Sequence, residues 1–177
     1  LLDPLVLVNM NENMTAYAHH QEIPNIITTS FVSNYTLVGG SGSTIALIIA
    51  ILIFSKVKSS RQIAGLSLAP GIFNINEPMI FGFPIVFNLP MIVPFVLFPT
   101  IGSLIGYFAT LWGWVSRTVV LVPWTTPPLI GPYLSTAGDW RSVILQLIVI
   151  IIGVFLYLPF LKISEQVARI QAEENRD

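Results

Sequence analysis

Glu77 is the residue whose type and surroundings point most directly to a chemical role. It is the only charged residue among the 55 from Gln62 to Ser116. Because a carboxylate is costly to remove from water, one inside a long apolar stretch is by default a functional candidate. The amides of Asn74 and Asn76 can donate and accept hydrogen bonds, so the three side chains together suit a hydroxyl-rich ligand such as a sugar. The alternative is structural: Glu77 is protonated, or accepts hydrogen bonds from backbone N–H groups that broken helices leave free.

Trp124 is the second candidate for ligand binding. An aromatic face packs well against the apolar C–H face of a sugar ring. The neighbouring residues Thr125 and Thr126 add hydroxyl groups. A tryptophan is equally typical of the boundary between membrane and water. From the residues alone, both interpretations of Trp124 stay open.

The sequence offers no set of residues for catalysis or metal binding. It has no cysteine, which excludes thiolate metal ligands and cysteine nucleophiles within this chain. No nucleophile has an evident paired base, and no spacing fits a set of metal ligands. His19 and His20 are adjacent, so on a helix they would point about 100° apart, and a solvated loop is the simpler interpretation. We predict no catalytic residue, no metal site and no cofactor.

The composition is that of a membrane protein. Of the 177 residues, 54% are hydrophobic and 10% are charged, and the mean hydropathy is +0.77. Soluble domains carry roughly 25% charged residues, so a typical soluble domain, a disordered chain and a nucleic-acid-binding protein are excluded. Three segments have the length of about 20 apolar residues that a spanning helix needs: residues 37–54, 90–112 and 140–161. The first contains the run Gly39–Thr44, which lacks the lysine of a phosphate-binding loop and predicts close packing or a hinge.

Two further apolar stretches are unsuited to simple spans. Residues 62–88 are broken by Pro70-Gly71 and by the polar segment 73–78, and residues 119–138 contain four prolines. Short arms joined by an irregular tip are typical of re-entrant hairpins, which are tolerated at membrane depth when buried in protein or lining a cavity. We therefore predict an all-α polytopic membrane protein with about three transmembrane helices and two re-entrant helical hairpins.

The sequence divides into three parts. We expect residues 1–37 to form a loop or interfacial segment, residues 38–163 a membrane-embedded substrate-binding domain, and residues 164–177 a polar tail. Basic residues favour the cytoplasmic side of spans. Of the basic residues close to the spans, four fall on one predicted side (Lys56, Lys58, Arg61 and Lys162) and two on the other (Arg117 and Arg141), which predicts a cytoplasmic C-terminus. Because the chain opens on Leu1-Leu2 without a methionine, we expect it to be part of a longer polytopic protein.

Three motifs in order resemble one protein family. The string Gly71–Asn88 (GIFNINEPMIFGFPIVFN) resembles a signature of the IIC component of the bacterial sugar phosphotransferase system, of the lactose, cellobiose and diacetylchitobiose type. The run Gly39–Thr44 upstream and Pro123–Pro127 downstream follow the order of that family. The resemblance covers about residues 25–163.

The resemblance implies a multi-pass protein of the bacterial cell membrane that is not an enzyme on its own. Family members bind a disaccharide in a transport domain, which moves against a dimerising N-terminal scaffold that this chain lacks. A partner, the IIB protein, carries a phosphocysteine and phosphorylates the C6 hydroxyl of the sugar. The sugar-binding glutamate of the family corresponds to Glu77, and Trp124 matches the motif of the second hairpin. The family's sugar-binding histidine does not transfer to His19 or His20, whose local sequence differs.

Two other functions remain compatible with the residues. In a proton- or ion-coupled secondary transporter, Glu77 would be the coupling carboxylate. In a membrane anchor that transports nothing, the polar tail would dock a soluble partner. The sugar permease is the function that we expect, with Glu77, Asn76, Asn74 and Trp124 as its substrate-binding residues.

Overall fold

A computed structural model describes residues 3–83, 85 and 88–174, and this part of the chain contains helices but no strand. The helices in chain order are α1 (Asp3–Ala18), α2 (Thr29–Phe31), α3 (Thr44–Phe54), α4 (Lys58–Ile72), α5 (Glu77–Gly82), α6 (Leu89–Leu111), α7 (Ile130–Ser135) and α8 (Trp140–Glu174). Three helical segments are long and apolar enough to cross a membrane: Thr29–Phe54, Leu89–Leu111 and Trp140–Val167. The predicted number of spans is confirmed.

The first span is broken in its middle. Helix α2 continues into a π-helix, Val32–Thr36, and a 3-10 turn, Ser41–Ser43, precedes α3. Around this break the carbonyl oxygens that lose their helical partners accept side-chain donors instead. The hydroxyl of Tyr157 on α8 donates to the carbonyl of Gly42 at 2.6 Å. We predicted the start of this span near residue 37; the structure begins it at Thr29, because the π-helix extends the helical segment backwards.

The spans α3, α6 and α8 pack around a core of buried apolar side chains. Small residues allow this close approach, as is usual between membrane helices. At Gly153 on α8 an added Cβ would lie 2.3 Å from the ring of Phe98, and at Gly102 on α6 it would lie 2.2 Å from the carbonyl oxygen of Tyr35. Phe98 and Tyr35 are both almost fully buried. The three spans therefore form one tightly packed bundle.

Helices α4 and α5 form the first hairpin (hairpin 1, residues 58–82). They lie side by side, and an added Cβ at Gly82 would come within 3.0 Å of the Ile63 side chain. The start and the end of hairpin 1 lie at one end of the bundle, where Ser60, Gly82 and Ser164 line a common groove. Both arms are helical, as predicted, and the turn 73–76 between them is the tip.

Residues 119–135 form the second hairpin (hairpin 2), which starts from the opposite end of the bundle. Trp112 after α6 and Trp140 at the start of α8 line one groove at that end. Only one arm of hairpin 2 is helical, namely α7. The other arm is irregular, since residues 115–123 contain no helix. Instead of helical bonds, the N–H groups of Val119 and Val120 both donate to the carbonyl of Ser135. The prolines at 123, 127 and 128 explain why helix does not continue through the tip.

Buried polar side chains hold hairpin 2 in the bundle. Asn34 of the π-helix donates from Nδ2 to the Ser135 hydroxyl at 2.7 Å. Gln146 of α8 donates from Nε2 to the Asn34 carbonyl at 2.8 Å and accepts from the N–H of Leu129. Ser30 donates to the carbonyl of Val120 at 3.0 Å. These contacts replace the backbone hydrogen bonds that an irregular segment lacks.

Asp139 immediately precedes the last span and bonds it to the loop that leads into hairpin 2. Its carboxylate accepts hydrogen bonds from the N–H of Ser116 at 2.8 Å and from the N–H of Arg141 at 3.0 Å. Partial burial acts to raise the pKa of this carboxyl group, but the hydrogen bonds from Ser116 and Arg141 outweigh it and hold the pKa below its ordinary value. The charged carboxylate therefore stabilises the contact between the start of α8 and the loop that leads into hairpin 2.

The described residues at both ends of the chain are largely helical. The segment 1–37, expected to be a loop or interfacial segment, contains helix α1. The fully buried Asn13 side chain fastens this helix by donating to the carbonyls of Asn25 at 2.8 Å and Thr118 at 2.9 Å. At the other end the predicted tail continues α8 without interruption as far as Glu174. The last three residues lie outside the described residues.

Candidate functional site

The tips of both hairpins meet the break in the first span, and a cavity of about 250 Å³ lies at this meeting point. Its lining residues are Ser33, Leu37, Gly40, Ser41, Asn74, Asn76, Glu77 and Trp124. All four residues that the sequence indicated for substrate binding therefore line one cavity. They come from two segments nearly 50 residues apart in sequence, which only the folding of the two hairpins brings together.

Glu77 is the first residue of α5, and its side chain is exposed at the cavity. Pro78 follows at the start of the helix, where its missing N–H costs no hydrogen bond. None of the described residues donates a hydrogen bond to the Glu77 carboxylate, so the structure does not show the backbone partners that one form of the structural alternative requires. Both carboxylate oxygens are left to accept hydrogen bonds from a ligand.

Asn76 is buried beneath Glu77 and contacts the broken span. Its Nδ2 donates to the carbonyl of Ser41 at 2.7 Å. Gly40 makes this contact possible: with φ +92°, it adopts a conformation that side chains disfavour, and an added Cβ would lie 2.6 Å from the Asn76 Cγ. None of the described residues donates a hydrogen bond to the Asn76 Oδ1. This oxygen is therefore the atom of Asn76 that could accept a hydrogen bond from a ligand.

Asn74 bridges three parts of the site. Its Oδ1 accepts from the N–H of Gly39 at 2.7 Å. Its Nδ2 donates to the carbonyl of Trp124 and to the carbonyl of Thr126, the latter at 3.1 Å. Both amide hydrogens are therefore already used within the protein. The donors that the sequence assigned to a ligand instead join hairpin 1 to hairpin 2.

Trp124 lies at the tip of hairpin 2 with 61% of its surface exposed. Its backbone is held by the bond from Asn74, and a turn bond from the N–H of Thr126 to the carbonyl of Pro123 closes the tip around it. The indole, in contrast, lies at the rim of the cavity. This placement leaves an aromatic face available to a ligand.

The family of the chain follows from a comparison of sequences. The family model described as "Phosphotransferase system, EIIC" matches residues 1–99, more than half of the chain. The chain belongs to the phosphotransferase system EIIC family. This confirms the resemblance that the three sequence motifs indicated.

Curated EIIC proteins resemble nearly the whole chain. The oligo-beta-mannoside-specific EIIC component of Bacillus subtilis (strain 168) is 42% identical over 176 residues, which cover 98% of this chain and 40% of that protein. The cellobiose-specific EIIC component of Lactococcus lactis subsp. lactis (strain IL1403) is 41% identical over 145 residues, covering 82% of this chain and 29% of that protein. The chain thus spans two fifths or less of the length of these relatives.

A solved EIIC structure has the same fold. The crystal structure of the transporter ChbC, the IIC component from the N,N'-diacetylchitobiose-specific phosphotransferase system, matches with a TM-score of 0.90 at 40% sequence identity. The match covers 96% of this chain and 40% of that one. The predicted fold class of an all-α, multi-pass membrane protein is confirmed. Membership of the EIIC family gives no support to the ion-coupled transporter.

Four lining residues of the EIIC cavity were not among the sequence candidates: Ser33, Leu37, Gly40 and Ser41. For Gly40 and Ser41 a signal existed, because the run of small residues 39–44 already predicted close packing or a hinge. This run became part of the site because its backbone carries no large side chains, which lets the tip of hairpin 1 approach it closely. Ser33 and Leu37 carry no such signal, since one serine and one leucine in a helical segment indicate nothing about a ligand.

The two adjacent histidines lie outside the cavity. His19 and His20 are exposed in the turn that ends α1, and His20 has φ +53°. Within the described part of the chain, no group of three His, Cys, Asp or Glu residues is arranged to hold a metal ion. The cavity lining instead combines a carboxylate, two amides, two serine hydroxyls and an aromatic ring.

Proposed function

We propose that this part of the EIIC protein forms the sugar-binding region of a permease that carries a disaccharide across the bacterial cell membrane. The observation that supports the proposal most directly is the cavity itself. It combines the carboxylate of Glu77, which has no protein donor among the described residues, with the exposed indole of Trp124. A carboxylate that accepts from hydroxyl groups and an aromatic face that covers C–H groups are complementary to the two surfaces of a sugar ring.

Each site residue has its own part in this proposal. The oxygens of Glu77 accept hydrogen bonds from sugar hydroxyl groups, and Trp124 stacks on a ring. Asn76 offers its Oδ1, and Asn74 shapes the wall. The cavity of about 250 Å³ is smaller than the roughly 300–1,000 Å³ of ordinary small-molecule sites. A partial site is what a segment that spans two fifths of its relatives would contribute.

The sugar class follows from the chemistry of the cavity and from the relatives. The similar proteins are named for oligo-beta-mannosides, cellobiose and N,N'-diacetylchitobiose. We propose a sugar of this size and type for the present chain. The binding of an already phosphorylated sugar would favour a basic side chain in the site. The lining of this cavity has none, which fits an unphosphorylated sugar.

The proposed mechanism of transport is movement of one packed unit. Residues 38–163 would form the transport domain and carry the sugar between the two sides by rigid-body motion, as in other transporters with broken helices. Residues 1–28 would lie at the interface between membrane and water, and residues 29–37, as the first part of the broken span, would move with the transport domain. The polar tail 164–177 would be cytoplasmic. A IIB partner would then phosphorylate the sugar, and a homodimer would form through a scaffold in the remainder of the protein.

The test is sugar binding to the whole protein in detergent. Radiolabelled cellobiose, lactose and diacetylchitobiose are titrated against the wild type and against Glu77→Gln, which keeps the shape of the side chain. Loss of a hydrogen bond to a charged group weakens binding by about 1.5–3 kcal/mol, so we expect affinity to fall by about tenfold or more. Glu12→Gln is the matched control, because Glu12 is exposed on α1 and does not line the cavity.

Tryptophan variants test the second half of the site. Trp124→Ala should weaken binding, whereas Trp112→Ala should not, although the two residues are similarly exposed at 61% and 64%. If Glu77→Gln and Trp124→Ala both bind every sugar as tightly as the wild type, the cavity is not the sugar site.

A further inference from the structure

Asn74 occupies a backbone position that usually belongs to glycine. Helix α4 ends in a Schellman motif: the N–H of Ile75 donates to the carbonyl of Pro70 at 3.0 Å, and the N–H of Asn74 donates to the carbonyl of Gly71 at 3.1 Å. This motif requires a left-handed residue after the end of the helix, and Asn74 has φ +62°. Glycine meets that requirement without strain, whereas asparagine is the side-chain-bearing residue that tolerates it best.

The Asn74 side chain makes hydrogen bonds that a glycine at this position could not make. The carboxamide of Asn74 accepts from Gly39 in the broken span and donates to the carbonyls of Trp124 and Thr126 in hairpin 2. One residue of hairpin 1 is thus bonded to both other walls of the cavity. The two accepting carbonyls flank Thr125, so the bonds fix the tip of hairpin 2 on both sides of its middle residue.

Asn74 also lies three residues before Glu77. The segment between them is short and is held by Asn76, whose side chain donates to Ser41. The position of the Trp124 backbone is therefore set relative to the Glu77 backbone through one amide. Because Trp124 is 61% exposed, little packing holds its side chain, and the bonds to the tip set the direction in which the indole projects.

We propose that Asn74 is a positioning residue, which acts on the sugar through Trp124 and does not itself donate to the ligand. This inference rests on the proposed sugar site. It differs from the role that the sequence suggested, since both N–H groups of Asn74 are used within the protein. The residue couples the two hairpins so that the carboxylate and the aromatic ring present themselves to one ligand together.

Two substitutions in the whole protein separate the functions of the residue. Asn74→Gly keeps the left-handed helix end and removes the carboxamide. Asn74→Asp keeps the size and the tolerance of positive φ, but replaces two donors by an acceptor that faces carbonyl oxygens. We expect each variant to lose about tenfold in affinity for the sugar that the wild type binds. Thermal unfolding in detergent shows whether each variant is folded. If Asn74→Gly does not fold, the binding measurement on Asn74→Asp tests the proposal.

The decisive comparison is a double-mutant cycle with Trp124→Ala. If Asn74 acts through the indole, Asn74→Gly combined with Trp124→Ala binds no more weakly than Trp124→Ala alone. Asn74→Gly combined with Glu77→Gln should lose affinity by nearly the product of the two single effects. Full additivity with Trp124→Ala would overturn the proposal, because it would mean that Asn74 contacts the sugar independently.

A spectroscopic signal distinguishes positioning from a general loss of structure. In protein labelled with 5-fluorotryptophan, the Trp124 resonance is the one that disappears in Trp124→Phe. We expect Asn74→Gly to shift or broaden this resonance and to abolish its response to sugar, while the Trp112 and Trp140 resonances stay unchanged. An unchanged Trp124 resonance in a variant with weakened binding would contradict the proposal. If Glu77→Gln and Trp124→Ala leave binding intact, the proposed sugar site fails instead.

Discussion

The two hairpins reach the same cavity from opposite ends of the bundle, but their backbones are stabilised in different ways. Hairpin 1 has two helical arms, whose hydrogen bonds lie within each arm. Its arms are fastened by packing: Met79 and Ala64 are fully buried, and an added Cβ at Gly71 would lie 2.9 Å from the Ile48 side chain. The tip of hairpin 1 therefore has little need of support from side chains elsewhere.

Hairpin 2 depends on other segments for its hydrogen bonds. Its irregular arm and its tip are bonded by Ser30, Asn74 and Gln146, and the end of its helical arm is bonded by Asn34. None of these four residues belongs to hairpin 2. Irregular backbone at membrane depth needs such partners, since no water or lipid group can replace them. The difference shows that a hairpin with self-sufficient arms can present a free carboxylate at its tip, whereas an irregular one needs a surrounding polar shell.

The largest effect that we expect concerns the contact between hairpin 1 and the broken span. Gly40→Ala places a Cβ 2.6 Å from the Asn76 Cγ and 2.8 Å from the Asn74 carbonyl oxygen, at φ +92°. Backbone strain and overpacking together should cost about 4 kcal/mol. Thermal unfolding of the whole protein in detergent measures the loss, and sugar binding should fall with it.

Gly65→Ala is the control for this change. Gly65 lies within helix α4, and an added Cβ there meets nothing within 4 Å. Alanine in a helix interior is better than glycine by about 0.5–1 kcal/mol, so this variant should be as stable as the wild type or slightly more stable. If Gly40→Ala were equally harmless, the tip of hairpin 1 would not be held by close backbone contact.

The second effect tests whether hairpin 1 depends on packing. The Met79 side chain on α5 is 0% exposed, so Met79→Ala leaves a cavity in its place. We expect this to lower the free energy of unfolding by about 3 kcal/mol. Phe81→Ala is the control on the same helix, because Phe81 is 78% exposed. In hydrogen exchange measured by mass spectrometry, the Met79 variant should exchange faster than the wild type in residues 58–82. The increase in residues 119–135 should be smaller. The reverse pattern would contradict the comparison.

Much of this architecture was predictable because it depends on features local in sequence. Charge-free stretches of about 20 residues predict spans, and the clustered prolines predict the irregular tip of hairpin 2. The place of Glu77 at a cavity could be anticipated, because a lone carboxylate among 55 otherwise uncharged residues is costly to remove from water. In each case a short stretch of sequence contains the whole physical reason.

The remainder depends on contacts between distant residues, which a single sequence does not display. Gln146 lies in the least interrupted of the three spans, and nothing nearby indicates that it bonds to Leu129 and to Asn34, 112 residues away. Asn74 was expected to bind a ligand because a free amide and a bridging amide look the same in sequence. The helix α1 was missed because its polar side chains, such as Asn13, are satisfied by carbonyls that only the fold brings near.

The smallest effect tests the polar support of hairpin 2. Gln146→Leu removes the donor to the Asn34 carbonyl and the acceptor for the Leu129 N–H. The Asn34 carbonyl is then left buried, and the Leu129 N–H partly buried, without these partners. We expect a loss of about 2 kcal/mol in stability, with faster hydrogen exchange in residues 119–135 and little change in residues 58–82. Gln62→Leu is the control, since Gln62 is exposed on hairpin 1. If Gln146→Leu is as stable as the wild type, apolar packing alone holds hairpin 2, and the two hairpins are stabilised in the same way.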